Sequence, residues 1–135
     1  MRSLKVLILE PDPYRMMALH QMLNAFGIYD VLTAPSLAAA RCSLERRTRV
    51  DIAICDPQLK GGEGLALIRH LAAEREASAV ILLGRVAPGL LSDLESLLQT
   101  QALMLLGRLQ TPVSAVLMRG LLDRYLQTAA QPAGA

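Results

Sequence analysis

An α/β fold built on one parallel sheet is what the sequence predicts, and three observations predict it. Short apolar runs alternate five times with longer stretches whose apolar residues recur at helical spacing. The runs are nearly continuous, as in strands covered on both faces. Glycine or proline stands at most of the junctions. The 135 residues suit one domain with a real core. Five strands alternating with five helices imply parallel βα units joined by right-handed crossovers.

Each element follows in order. Leu4–Leu9 (LKVLIL) is the first strand and runs into the acidic, proline-rich EPDP. From Pro13 to Phe26, Met16, Leu19, Leu23 and Phe26 recur at helical spacing until Gly27 stops them. Ile28–Leu32 is the second strand. Ser36 opens a helix with Leu37, Ala40 and Leu44 on one face. Asp51–Cys55 (DIAIC) is the third strand, and a loop over Pro57–Gly64 with three glycines leads to a helix bearing Leu65, Leu67, Ile68 and Leu71.

Ala79–Leu83 (AVILL) is the fourth strand, closed by Gly84. A leucine-rich helix follows from Pro88 to Gln99. The fifth strand is read at Ala102–Leu106, although ALMLL suits a helix equally. Pro112 is placed near the first turn of a last helix through Val116, Leu117, Leu121 and Tyr125. The domain is thus read over 1–128, and the small residues and proline of 129–135 as a disordered tail.

Composition narrows the function. The net charge is +2, there is no Trp, and no dense basic block is interleaved with aromatics, so no nucleic-acid partner is expected. Arg46, Arg47 and Arg49 read as a solvated helix end. No apolar run reaches the roughly 18 residues of a membrane span. The first apolar run is interrupted by Glu10 and does not read as a signal peptide. No membrane association and a cytoplasmic home are therefore expected. Cys42 and Cys55 have no His or further Cys nearby and read as small buried hydrophobes. His20 and His70 lie on helical stretches and read as helix-side residues. Met16 belongs with the core face, and Met17 with the surface.

In parallel α/β sheets, function gathers in the crevice beyond the carboxyl ends of the strands. In this sequence that crevice receives Glu10–Pro11–Asp12, Asp56, Gly84–Arg85 and Gly107–Arg108.

With VLILEPDP followed by VDIAICDPQLKGGEGLALIRHL, the chain resembles the receiver domain of two-component response regulators over about residues 4–128. The resemblance implies a flavodoxin-like doubly wound sheet of order 2-1-3-4-5. It implies a phosphoacceptor Asp after the third strand and two acids after the first that help hold Mg2+. It also implies a Ser/Thr after the fourth strand and a Lys–Pro pair after the fifth, the Ser/Thr and Lys contacting phosphoryl oxygens. Such chemistry needs cations, because a carboxylate nucleophile and a phosphoryl group repel each other.

Carried over residue by residue, the resemblance is partial. Asp56 takes the phosphoacceptor position and Glu10 the first acidic position. Gln58 offers the backbone carbonyl that serves as a metal ligand. Pro11 takes the second acidic position, leaving Asp12 as a doubtful substitute, and Mg2+ binding is weakened accordingly. Gly84 stands in place of the hydroxyl residue, Arg108 in place of the Lys, and Leu105 at the aromatic switch position. Leu109 follows Arg108 where the family has proline, and Lys60 stands where the loop has proline. Two arrangements stay open for Arg85: pairing with Asp56 or Glu10 as a replacement cation, or pointing to water.

The leading expectation is an atypical receiver acting as a protein-interaction module with an incomplete phosphorylation pocket, and not an enzyme. Its partner would be a histidine kinase, a phosphotransfer protein, another regulator, or a second copy through the fourth helix–fifth strand–fifth helix face. The alternative is a conventional regulator phosphorylated on Asp56 with Mg2+. A flavodoxin-like cofactor binder is disfavoured, because EPDP would repel a phosphate where a glycine-rich loop is needed. No output domain is read in these residues, so any effect is expected to pass through an interface or a domain outside them.

Overall fold

The computed structural model describes residues 3–47 and 49–130. Strands β1 (Lys5–Leu9), β2 (Asp30–Ala34), β3 (Val50–Cys55), β4 (Ala77–Leu83) and β5 (Met104–Leu109) alternate with helices α1 (Pro13–Ala25), α2 (Leu37–Arg47), α3 (Glu63–Glu74), α4 (Pro88–Thr100) and α5 (Ala115–Ala130). The strands form one sheet in the order β2-β1-β3-β4-β5, and every pair is parallel. This is the flavodoxin-like architecture that the resemblance implies.

The continuous apolar runs become central strands whose alternate residues feed two cores. Val6, Ile8, Ile52, Ile54, Ile81 and Leu83 face α1 and α5, where Leu19, Leu23, Met118 and Leu122 cover them. Leu7, Leu9, Ala53, Cys55, Val80 and Leu82 face α2, α3 and α4. Each fully buried Leu or Ile contributes roughly 1.5–3 kcal/mol relative to exposure. Both faces of the central strands are therefore held under apolar cover.

Local chemistry sets the helix starts. The Asp12 carboxylate accepts the Tyr14 N–H at 2.9 Å, with Pro13 in the first turn of α1. The Ser36 hydroxyl accepts the Ala39 N–H at 3.2 Å. At α5 the cap is Ser114, which accepts the Leu117 N–H at 3.3 Å. Pro112 therefore precedes the helix rather than opening it, and the Thr111–Pro112 peptide is cis. At the amino edge of the sheet, Asp51 accepts the Lys5 N–H at 2.9 Å and the Tyr125 hydroxyl at 3.1 Å, tying β1, β3 and α5 together.

The largest departure from the sequence reading is β5, which runs over Met104–Leu109 rather than Ala102–Leu106. The end of α4 consumes the intervening residues: Ala102 takes a φ of 59°, and Gln101 and Leu103 both donate their N–H to the Leu98 carbonyl. β2 likewise starts two residues later than its apolar run, because Ile28 is drawn back to the Leu23 carbonyl at the end of α1. Cys55 is buried as expected, but Cys42 is exposed, since α2 turns Ala40 and Leu44 inward instead. α5 continues to Ala130, past the start of the expected tail, and 131–135 lie outside the described residues. No described helix is long and apolar enough to cross a membrane.

One contact joins two helix starts. Glu63, in the first turn of α3, accepts the Leu37 N–H of α2 at 3.1 Å. It satisfies an otherwise orphaned donor at the N-terminus of α2. Glu63→Ala is expected to lower stability by about 1 kcal/mol, read as a lower urea midpoint at unchanged slope.

Candidate functional site

Asp56 stands immediately beyond the last residue of β3, at the carboxyl edge of the sheet, and is half-buried. Its Oδ1 accepts the Gln58 N–H at 2.8 Å, and its backbone carbonyl accepts the Leu59 N–H at 3.1 Å. This local turn fixes the side chain relative to the loop that follows. Two glycines let other backbones come close. A Cβ on Gly64 would collide with the Asp56 carbonyl, so only glycine fits where α3 begins. Gly84 faces the carboxylate itself: a Cβ there would lie 3.3 Å from Asp56 Oδ2.

Glu10 follows β1 directly. It is the one buried charged side chain among the described residues, only 5% exposed. Its backbone N–H bonds to the Ala34 carbonyl at 3.0 Å, and its Oε2 accepts the Asp12 N–H at 3.1 Å. A carboxylate withdrawn from water costs several kcal/mol unless it is paired. Among the described residues Glu10 forms no ion pair. Glu10 lines a largely apolar cavity of about 460 Å3 together with Tyr14, Leu19, Leu83, Thr111 and Pro112. Asp56 is not part of that lining.

The remaining candidates are placed differently. Asp12 is engaged elsewhere: it caps α1 and lies 3.5 Å from Arg15. Arg85 is exposed and makes no ion pair among the described residues, which is the solvent-facing of its two arrangements. Arg108 lies inside β5, in register with Leu82, and is exposed. That register puts it on the face that α2, α3 and α4 cover, short of the strand's carboxyl end. The residue followed by proline beyond the fifth strand is Thr111, not Arg108. By the same three-residue displacement, Arg108 rather than Leu105 takes the position read as the aromatic switch. The sequence hid this because the fifth strand could not be bounded from ALMLLGRL alone. Among the described residues, no group of three or more His, Cys, Asp or Glu side chains is gathered as a metal site.

Sequence reasoning considered only the backbone of Gln58. Its side chain matters too: Oε1 accepts the N–H of Ala87, the residue capping α4, at 3.3 Å. No sequence signal marks that contact, since it depends on how two loops meet.

A five-stranded parallel sheet with Asp56 at the tip of β3 and a buried acid beside β1 defines a class of signalling domain. The family model of the response regulator receiver domain matches residues 6–106, and the chain belongs to that family. Among curated proteins it is 35% identical over 125 residues to the cyclic di-GMP phosphodiesterase RocR of Pseudomonas aeruginosa. That match covers 93% of this chain but 32% of RocR, so the chain spans about a third of that relative's length. Among solved structures, a response regulator receiver protein from Pseudomonas putida is 23% identical with a TM-score of 0.74, the match covering 92% of this chain and 98% of that one. The signal receiver domain of a modulated diguanylate cyclase from Desulfovibrio desulfuricans G20 is 21% identical with a TM-score of 0.74, covering 94% and 96%. These structural likenesses concern the fold. Receiver domains are signalling modules that work with histidine kinases or other regulators.

Gly84 has a φ of 82°, a conformation that costs other residues about 1–2 kcal/mol. Gly84→Ser should therefore lower the unfolding free energy by at least about 1 kcal/mol, measured by urea titration. Beside Asp56, burial first and the neighbouring charge second push the Cys55 thiol from 9.0 up to about 12. The folded state thus favours the neutral thiol, and its contribution to stability fades as pH rises from 9 towards 12. At pH 8 a thiol reagent should label Cys42 rapidly, and Cys55 only after denaturation.

Proposed function

We propose that this chain is an atypical receiver that signals through protein contact, with a phosphorylation pocket too incomplete for the full switch. The observation that carries this reading is the set of groups around Asp56. Its carboxylate faces a side-chain-less Gly84 rather than a hydroxyl. Asp12 is held by α1 and Arg15, so Glu10 is the acid left to help neutralise a phosphoryl group. Thr111, a neutral residue, follows the fifth strand, and Arg108 is displaced into it. Each missing group removes charge neutralisation from an anionic reaction centre.

Mg2+ fits the residues present in a reduced form. Glu10 and Asp56 would supply two carboxylates and Gln58 its backbone carbonyl, and Mg2+ commonly needs only one or two carboxylates and retains waters. When bound, the ion would offset negative charge on a phosphoryl group at Asp56. Of the chain's own residues, Asp56 offers the acceptor oxygen, while the Gln58 N–H orients its other oxygen. The buried Glu10 carboxylate, which has no cation partner among the described residues, supports a cation-binding role for this corner.

The partner is a histidine kinase, a phosphotransfer protein or another regulator, and the likeness to RocR makes a regulator of cyclic di-GMP turnover the first to test. A second copy would meet the α4–β5–α5 face, where Val116 and Leu117 are 80% and 60% exposed. The conventional reading, phosphorylation of Asp56 with Mg2+, keeps one supporting observation: Asp56 follows directly on β3.

One experiment decides between the two readings. The chain is mixed with Mg2+ and beryllofluoride or acetyl phosphate and compared with Asp56→Asn by mass and NMR. The atypical receiver is expected to give no adduct and no shift at millimolar reagent. A Mg2+-dependent change that Asp56→Asn abolishes would establish the conventional regulator instead.

A further inference from the structure

We propose that the Gln58 side chain links Asp56 to helix α4, doing across two loops what a hydroxyl on the fourth strand cannot do in this chain. The inference rests on Asp56 being the state-bearing carboxylate of the proposed function. Two consecutive hydrogen bonds carry it. Asp56 Oδ1 accepts the Gln58 N–H at 2.8 Å, and Gln58 Oε1 in turn accepts the Ala87 N–H at 3.3 Å.

Ala87 is a consequential place for such a bond to end. It is the cap residue of α4, extended at φ −59° and ψ 140°, and its own side chain can cap nothing. Its carbonyl accepts the Leu91 N–H at 2.9 Å, the first hydrogen bond of the helix. Pro88 follows and has no N–H to offer. A donor at a helix start needs an outside acceptor, and Gln58 supplies it.

Other routes from Asp56 to α4 are poorer in side chains. Gly84 meets the carboxylate with backbone alone. Arg85 is exposed, and Val86 is packed in the apolar core between α3 and α4. Among the described residues, no side chain of residues 84–87 hydrogen-bonds to Asp56. Among the described residues, Gln58 is therefore the side chain whose hydrogen bond bridges the β3–α3 and β4–α4 loops at this point.

The physical logic is that of a short lever. A change of charge on Asp56, or a group attached to it, alters Oδ1 as an acceptor for the Gln58 N–H. The turn that begins at Asp56 then shifts Gln58, and its amide tightens or releases the start of α4. Gln58 is a positioning residue in this scheme and takes no part in any bond-making step.

The test is amide NMR on the full chain, following the Ala87 resonance and hydrogen exchange in the first turn of α4. Asp56→Asn is expected to move the Ala87 amide in the native background. In the Gln58→Ala background the same substitution should move it several-fold less, while Gln58→Glu, which keeps an acceptor at similar reach, should retain the response. An Ala87 amide that ignores Asp56→Asn in the native chain, or responds equally with Ala at 58, overturns the link. Beryllofluoride with Mg2+ is the separate arm. Its binding or failure to bind decides how Asp56 is used, whereas the Asp56→Asn comparison decides the link without any phosphoryl analogue.

Discussion

The central strands offer water almost nothing. β1, β3 and β4 carry Leu, Ile, Val, Ala and Cys on both sides of the sheet, and nearly all of them are buried. Such strands fold only if helices cover both faces, and parallel strands with helical crossovers are how a chain achieves that. The same arrangement brings every strand's carboxyl end to one edge. Glu10, Asp56 and Gly84 all lie along that edge because the sheet must be covered twice, not because they attract one another.

At that edge the chain trades side chains for close backbone approach. Gly64 lets α3 begin against the Asp56 carbonyl, and Gly84 presents bare backbone to the Asp56 carboxylate. The result is a tight frame around one acid with few groups to neutralise it. Glu10 adds a second carboxylate, buried and satisfied in part by the Asp12 N–H. A carboxylate withdrawn from water is costly unless compensated, and among the described residues Glu10 has no ion-pair partner.

Arg85 and Arg108 are both exposed, so the cations of this region face outward. Gln58, at the surface, reaches across two loops and takes up the Ala87 N–H at the start of α4.

The sequence by itself determined the architecture, the two-sided core and the place of Asp56, because these follow from periodicity and from apolar runs bounded by glycine and proline. It located the helix starts at Pro13, Ser36 and Pro88 within a residue, since capping chemistry is local. It could not bound β5. Leu-rich segments satisfy a strand and a helix equally, and only the packing of α4 against Leu103 and the pairing of β5 with β4 placed Arg108 inside the strand and Thr111 after it. The burial of Cys42 was misjudged for a related reason: on a short helix of mixed composition, which face turns inward depends on the neighbouring sheet. The Gln58–Ala87 contact lay furthest beyond reach, because it joins residues 29 apart through two irregular loops. Local pattern fixes elements, whereas contacts between loops exist only once the sheet has set the distance between them.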